Sequence, residues 1–218
     1  MTTRVEYDHE LSELKHEIIR MSSLVEELLA KSMKSLVDKN IPLAKEVRKS
    51  DDVIDSMQES IEEKCVTLIA TQQPLASDLR VIFASIKMAT DLERIADYGV
   101  GIAKAAIRLE GEEYIKPLID LPLMTDIACE MLRGSVQAFA NKDVDLALET
   151  AKRDQRLDQL FKQIYRELLT FVLESPKCIN QMMTFVLIAR YLERVGDHIV
   201  NICEWIVYDA TGKRLSLD

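Results

Sequence analysis

Pairs of acidic residues spaced four positions apart are the feature of this sequence that most clearly suggests chemistry. An i, i+4 spacing places two side chains on one face of a helix, so their oxygens can converge on a single cation. Four carboxylates gathered in one place repel one another unless a cation or a basic partner neutralises them, and all-oxygen ligands suit Mg²⁺, Ca²⁺, Mn²⁺ or iron. The pairs are Asp51 and Asp55, Glu93 and Asp97, Asp154 and Asp158, and Glu193 and Asp197.

The distance of each pair from a predicted turn determines which pairs meet. A helical hairpin turning near residue 73 places the Asp51 pair about as far before the turn as the Glu93 pair lies after it, and a hairpin turning near residue 175 does the same for the Asp154 and Glu193 pairs. Residues equally far from the turn of an antiparallel hairpin are neighbours. We therefore predict a first acidic set (Asp51, Asp55, Glu93, Asp97) and a second acidic set (Asp154, Asp158, Glu193, Asp197) as metal sites. Asn201 continues the stripe on the last helix and is a further candidate ligand.

Two other interpretations of these acids stay open. The chain has 37 acidic residues, so some align on solvated helix faces by accident, and a metal-free helical scaffold is one alternative. The other is a di-metal enzyme, which would use a Glu-x-x-His spacing from each of two helices inside a bundle core. Glu13 and His16 form one such spacing and Glu6 and His9 another, but both lie within residues 6–16 rather than on two helices, so we expect no enzyme. His198 points about 100° away from Asp197 and is expected to face solvent or a partner.

Composition and periodicity predict that helices carry these residues. Gly and Pro are scarce, at 6 and 5 residues, whereas residues that favour helix are abundant. Apolar residues at spacings of three and four between Phe185 and Ile206 predict a buried seam along the last helix. We predict six helices, at roughly 8–39, 43–71, 75–110, 123–140, 143–174 and 177–209.

The second half of the chain repeats the first. A shift of 103 residues lays Asp51 onto Asp154, and a shift of 100 lays 92–97 onto 192–197. A repeat of about three helices indicates a duplicated bundle. We predict an all-α fold of two tandem three-helix bundles, with six long antiparallel helices related by a pseudo-twofold. Its parts are residues 1–110, a linker at 111–122, and residues 123–218.

Charge and cysteine spacing exclude several classes of function. A net charge of −9 without a basic stripe does not suit nucleic-acid binding. The four cysteines form no CxxC pair, so we expect small core residues in a reducing, cytoplasmic compartment. The longest uncharged stretch, Cys65–Ser77, has 13 residues and is too short to span a bilayer.

Three segments resemble motifs of the PhoU family of phosphate-transport accessory and signalling proteins. Leu92–Asp97 (LERIAD) and Tyr191–Glu204 (YLERVGDHIVNICE) are similar to the two copies of its Glu-Arg-Ile-Gly-Asp signature. Gln73–Arg80 (QPLASDLR) is similar to another family motif, and the resemblance extends over nearly the whole chain. The first copy departs from the signature at Ala96, where the family has glycine, and has Gly101 where the second copy has Asn201.

The resemblance implies a cytoplasmic negative regulator of phosphate-starvation signalling and phosphate homeostasis. Such a protein would bridge the ATPase subunit of the phosphate ABC transporter and a phosphate-sensor histidine kinase, peripheral to the inner membrane through these partners. A homodimer is also expected. Some family members carry metal ions on acidic motifs of this kind, which implies iron, manganese, magnesium or zinc on the two acidic sets.

Overall fold

The computed structural model describes residues 2–72 and 74–217. Met1 and Asp218, at the outer limits of the two predicted halves, and Gln73, in the motif at 73–80, lie outside the described residues. The described part contains α-helices and one 3₁₀ turn, at Pro176–Cys178, and no strand. The helices are α1 (Thr2–Val37), α2 (Ile41–Gln72), α3 (Ala76–Arg108), α4 (Asp120–Asn141), α5 (Val144–Lys152), α6 (Asp154–Glu174) and α7 (Ile179–Thr211).

The predicted all-α fold of two three-helix units is confirmed, with one local difference. The helix predicted at 143–174 is interrupted at Arg153, which separates α5 from α6. Arg153 keeps helical dihedral angles, with φ −69° and ψ −19°. Its N–H donates to the Thr150 carbonyl at 3.1 Å and its own carbonyl accepts from Arg156 at 2.9 Å, which are the i, i+3 bonds of a 3₁₀ turn. Together α5 and α6 take the place of one helix.

Proline positions agree with the helix starts. Pro42 is the second residue of α2 and Pro122 the third residue of α4, so both lie within a first turn rather than between helices as the periodicity suggested. The first four N–H groups of a helix have no intrahelical acceptor, so proline costs no hydrogen bond there. The linker between the units was predicted at 111–122. In the structure α4 already begins at Asp120, so the last residues of the predicted linker belong to this helix.

Two lysines at matching positions end the first helix of each unit. Lys39 and Lys142 follow α1 and α4 with φ of 50° and 53°, in the left-handed region that a Cβ disfavours. The Lys39 ammonium donates to the carbonyl of Glu112 in the linker at 2.8 Å. The Lys142 ammonium lies 3.3 Å from the buried carboxylate of Asp209, near the end of α7. In each unit, the lysine that ends the first helix thus contacts a residue near the end of the third helix.

The two units join where α3 packs against α7. Phe83 near the start of α3 packs edge-on against Trp205 near the end of α7, with ring centroids 5.6 Å apart. Farther along, Tyr98 and Tyr191 have ring centroids 5.5 Å apart. These pairs show that the two helices run antiparallel. A Cβ at Gly101 would lie 2.7 Å from the Tyr191 ring, so glycine permits this close approach.

A polar cluster lies in the middle of this contact. His198 Nδ1 lies 2.8 Å from Asp91 Oδ1, and the Asn201 amide donates to the same oxygen at 3.3 Å. The expectation that His198 faces solvent or a partner is therefore wrong, because its ring is half-buried between the units. Asn201 as a metal ligand stays a prediction, with its amide nitrogen engaged by Asp91.

Three of the four free cysteines lie in the core, as predicted. Burial raises the pKa of Cys65 and Cys203 to about 12 and that of Cys129 to about 11. Their thiols therefore stay protonated and unreactive at neutral pH. Cys178 is half-buried. Within residues 2–72 and 74–217, none of the helices combines the length and the apolar character needed to cross a membrane.

Phe185 connects α7 to the linker and, through it, to α1. Its side chain is 1% exposed and packs edge-on against Tyr114 at 5.5 Å, and the Tyr114 hydroxyl donates to the Leu36 carbonyl at 2.7 Å. We expect Phe185→Ala to lower the free energy of unfolding by about 3–5 kcal/mol, measured in urea, since it leaves a cavity. As a control, Leu173→Ala removes an 83% exposed side chain and should change it by less than about 0.5 kcal/mol. Equal effects of the two variants would contradict the packing described for Phe185.

Candidate functional site

Buried apolar residues orient the first acidic set at the surface of the α2–α3 hairpin. Ile54 of α2 and Leu92 and Ile95 of α3 are at most 2% exposed and point into the core. Asp55 and Glu93 directly follow two of these residues, so the helical twist turns their carboxylates to the flank of each helix. The acids therefore lie beside the core rather than in it, as the periodicity predicted.

The four carboxylates of the first acidic set lie close enough to influence one another electrostatically. Burial raises the pKa of Glu93 above its usual range, the carboxylates of Asp97, Asp55 and Asp51 add to the rise, and Arg94 opposes it. Burial also raises the pKa of Asp51, with further contributions from Asp55 and Asp97. These mutual effects show that the acids of α2 and α3 lie close enough to repel one another.

Arg94 supplies positive charge directly to this set. Its Nη1 lies 3.2 Å from Asp97 Oδ2, and its Nε lies 3.4 Å from Glu93 Oε2. Farther along α3, Lys104 lowers the pKa of Asp51 without cancelling the rise caused by burial. The set thus keeps an excess of negative charge.

The second acidic set contains more positive charge. Burial raises the pKa of Glu193, Asp197 and Asp158 raise it further, and Arg190 and Arg194 oppose the rise. Arg190 donates to Glu193, and Arg194 Nη1 lies 3.0 Å from Asp197 Oδ2. Glu193 Oε2 is buried without a hydrogen bond, and the Arg194 Nε is 4.0 Å from it.

Gly196 allows Asp154 to lie against α7. A Cβ at this position would overlap Asp154 Oδ1 and approach Leu157 Cδ1 to 2.8 Å. The first unit has the buried residue Ala96 in the corresponding place. Its methyl group occupies the space that Asp154 uses in the second unit, so the two acidic sets differ in how closely an aspartate of the second helix approaches the third.

The two sets also differ in their basic partners. The second set is contacted by Arg190, Arg194 and Lys162, whose Nζ lies 3.6 Å from Asp158 Oδ2. Thr90 replaces Arg190 in the first unit, and its hydroxyl donates to a carbonyl of its own helix. The sequence patterns did not lead us to predict that Arg190 pairs with the second acidic set, although its i, i+3 spacing from Glu193 is a recognisable signal.

The donor chemistry of both sets suits a hard cation, because every candidate group except the Asn201 amide is a carboxylate. In the described ranges, however, no three His, Cys, Asp or Glu side chains are arranged to hold a metal ion. In each set, an arginine pairs with both acids of the third helix of the unit. The role of these residues in metal binding therefore stays a prediction.

Comparison with known proteins matches the chain to the PhoU domain twice, at residues 18–106 and 121–206. The chain is 40% identical to a phosphate-specific transport system accessory protein PhoU homolog of Clostridium acetobutylicum, with 99% of each protein covered. A protein of the same description from Aquifex aeolicus is 40% identical over 94% of this chain and 92% of its own.

Two solved structures share the fold. The crystal structure of PhoU from Pseudomonas aeruginosa superposes with a TM-score of 0.91 at 36% identity, covering 95% of this chain and 100% of that one. The phosphate transport system regulatory protein PhoU from Streptococcus pneumoniae gives a TM-score of 0.89 at 30% identity, covering 96% and 99%. The likeness extends over both three-helix units.

The raised pKa of Glu93 predicts a pH-dependent gain in stability when its charge is removed. An acid whose pKa rises on folding destabilises the folded protein once the pH exceeds its ordinary value of 4.5. We expect Glu93→Gln to raise the Tm of chelator-treated protein at pH 7.5, and the gain to shrink as the pH falls toward 4.5, where the native glutamate is itself protonated.

Glu59→Gln is the matched control, because Glu59 is an exposed residue on α2 outside the acidic set. Its Tm should follow that of the unmodified protein at every pH. A lower Tm for Glu93→Gln at neutral pH would show that the ion pair with Arg94 outweighs the burial of the carboxylate and its repulsion by neighbouring acids.

Proposed function

The chain belongs to the PhoU family, and from this we propose that it regulates phosphate uptake and phosphate-starvation signalling. The observation that carries the proposal is the double match to the PhoU domain together with near-complete coverage of relatives described as accessory proteins of phosphate-specific transport. The Streptococcus pneumoniae protein of the same fold is described as a phosphate transport system regulatory protein, which supports a regulatory role here.

We infer that the regulation works through protein contacts made in the cytoplasm. An accessory protein conveys the state of a transporter by binding one of its parts, and the ATPase subunit of the phosphate ABC transporter is the part exposed on that side. A phosphate-sensor histidine kinase would be the second partner, held in its inactive signalling state, and the regulator itself would be a homodimer. The net charge of −9 suits partners with basic surfaces.

A binding role rather than an enzymatic one is supported by where the acids lie. Glu93 and Glu193 lie on the flanks of their helices and are paired with arginines, and Glu193 is buried. His198, the histidine next to the second acidic set, is engaged with Asp91. This arrangement differs from the Glu-x-x-His core site of a di-metal enzyme.

We further propose that the acidic sets carry metal. Asp51, Asp55, Glu93 and Asp97 would hold one hard cation or cluster, and the second set, with Asn201 as a further ligand, would hold another, with iron, manganese, magnesium or zinc as candidates. The cation would supply positive charge in place of the arginines and would hold α2 and α3 together. The first set is the stronger candidate, because it contacts one arginine where the second contacts two and Lys162.

A metal-free acidic scaffold is the second candidate, favoured by the arginine pairs that partly neutralise each set. Elemental analysis of protein purified without chelator separates the two. We expect a stoichiometric hard metal that is lost in the Asp97→Ala/Asp197→Ala double variant and retained in the control Glu59→Ala. Addition of the metal at about a hundredfold excess over its Kd should stabilise the folded protein by about 2.7 kcal/mol, which is a Tm rise of about 5–10 °C. No metal and no rise in Tm would leave the scaffold.

The regulatory role predicts a defined response in cells. Deletion of the gene should leave a phosphate-starvation reporter fully active in phosphate-rich medium, because the kinase is no longer restrained without the regulator. A plasmid copy of the gene should restore repression. Co-purification of the transporter ATPase and the kinase with the plasmid copy tests the two contacts separately. A reporter that stays repressed in the deletion strain would refute the proposed function, and unchanged co-purification after chelation would refute a role of metal in these contacts.

A further inference from the structure

A groove with an aromatic wall lies at one end of the α3–α7 contact. It has a volume of about 450 Å³, and the start of α3, the end of α7 and part of α2 form it. Phe83 is 48% exposed there, and Trp205 packs against both Phe83 and Tyr208, at 5.6 and 6.0 Å. The apolar residues that line the groove are Ile69, Ala76, Leu79, Phe83, Ile86 and Tyr208.

Three cations surround this apolar lining. Arg80 lines the groove, and its Nε–H is buried without a hydrogen-bond partner among the described residues. The Lys87 ammonium lies 5.9 Å from the centre of the Phe83 ring, and the Arg214 guanidinium lies 5.0 Å from the centre of the Trp205 ring. Lys87 and Arg214 thus lie next to the aromatic rings of Phe83 and Trp205, and Arg80 lies in the lining itself.

Two carboxylates on the helices that form the groove are hydrogen-bonded to backbone N–H groups. Asp78 accepts the backbone N–H of Leu75 at 3.1 Å at the start of α3, and Glu204 accepts the backbone N–H of Leu217 at 2.9 Å. Neither lines the groove, so the one charged residue of its lining is Arg80, and Lys87 and Arg214 lie over the Phe83 and Trp205 rings.

The pseudo-twofold produces a second groove that lacks this character. It has a volume of about 540 Å³ and lies at the opposite end of the α3–α7 contact. Asn180 takes the place of Arg80 and Met183 takes the place of Phe83, and the lining contains both a cation, Arg108, and an acid, Glu112, but no aromatic residue. The two grooves have the same origin in the fold, but only the first combines an aromatic wall with unpaired positive charge.

We propose that the first groove binds a helix of a partner protein, with large apolar residues on one face and acidic residues on its flanks. A groove between two helices accepts a ridge of side chains spaced three and four residues apart. The flanking acids would pair with Arg80, Lys87 and Arg214, which makes the contact selective for charge. This inference rests on the proposed function for the existence of a protein partner and adds where and how that partner binds.

The concave shape favours a helix over a lipid surface. A bilayer presents a nearly flat face that contacts protruding side chains, whereas this lining combines the half-buried Ile86 and Tyr208 with the exposed Ile69, Leu79 and Phe83. Filling the groove requires side chains that project from a rigid support. An amphipathic helix provides them, and its charged flanks remain level with the cations.

Trp205 is the single tryptophan of the sequence and packs against two lining residues, Phe83 and Tyr208, so its emission reports on changes next to this groove. The probe is a labelled synthetic helix of about 20 residues, with leucines at i, i+3, i+4 and i+7, glutamates on the flanks of this stripe, and alanines at the remaining positions to favour helix formation in water. We expect its anisotropy to saturate and the Trp205 emission to shift, and the same peptide with lysines for glutamates to bind at least about tenfold more weakly.

Variants locate the site and decide the outcome. Phe83→Ser and Arg80→Ser should each weaken binding by at least roughly tenfold, whereas Met183→Ser in the second groove should leave it unchanged. Circular dichroism establishes that all three variants are folded. Equal binding of both peptides, or equal loss with Met183→Ser, would overturn the proposal.

Vesicles of phosphatidylglycerol and of phosphatidylcholine complete the test. An emission shift with the anionic vesicles and none with the glutamate peptide would assign the groove to a lipid surface and overturn the proposal. Because these titrations use purified protein, their failure would leave the regulatory role intact, which the reporter assay tests by itself. An Arg80→Ser variant that fails both to bind the peptide and to restore repression would support both.

Discussion

The antiparallel contact between α3 and α7 is the constraint on which the rest of this molecule depends. Each of these helices is the third of its unit and must pack against its own bundle on one side and against its counterpart on the other. Small residues make this possible, since a Cβ at Gly99 would overlap Leu28 of α1 and a Cβ at Gly101 would crowd Tyr191 of α7. With these two sides occupied, the flank that faces the second helix is where charged groups such as Glu93 remain accessible.

Duplication placed equivalent features on both units, and later substitution made them different. The acidic sets share their spacing, yet Arg190 replaces Thr90 and Gly196 replaces Ala96, so the second set is better neutralised and more closely packed. The grooves at the two ends of the α3–α7 contact also share their origin and differ in charge. A regulator with two partners can use such differences, because each unit then presents its own surface.

Sequence patterns predicted what depends on local spacing. Apolar periodicity located the helices. The distance of each acidic pair from a turn predicted that Asp51 and Glu93 are neighbours in one hairpin, and in the structure the charge of Asp51 contributes to the raised pKa of Glu93, while their role as metal ligands stays a prediction. The turn at Arg153 was missed because it changes hydrogen bonds without changing the apolar seam. The contact of His198 with Asp91 was missed because it joins residues 107 positions apart on different units. The first groove was also not predicted, because its lining residues come from three helices that are far apart in the sequence.

The unequal partners in the middle of the α3–α7 contact bear on the ancestry of the chain. The pseudo-twofold relates Asp91 to Tyr191 and Tyr98 to His198, so the contact of an acid with an imidazole corresponds to a contact of two aromatic rings, and Tyr98 also packs against His198 at 5.8 Å. Two copies of the first half alone would set Asp91 against Tyr98 twice, and two copies of the second would set Tyr191 against His198 twice. The single chain thus joins two unlike halves whose matching contacts neither half could rebuild by associating with a second copy of itself.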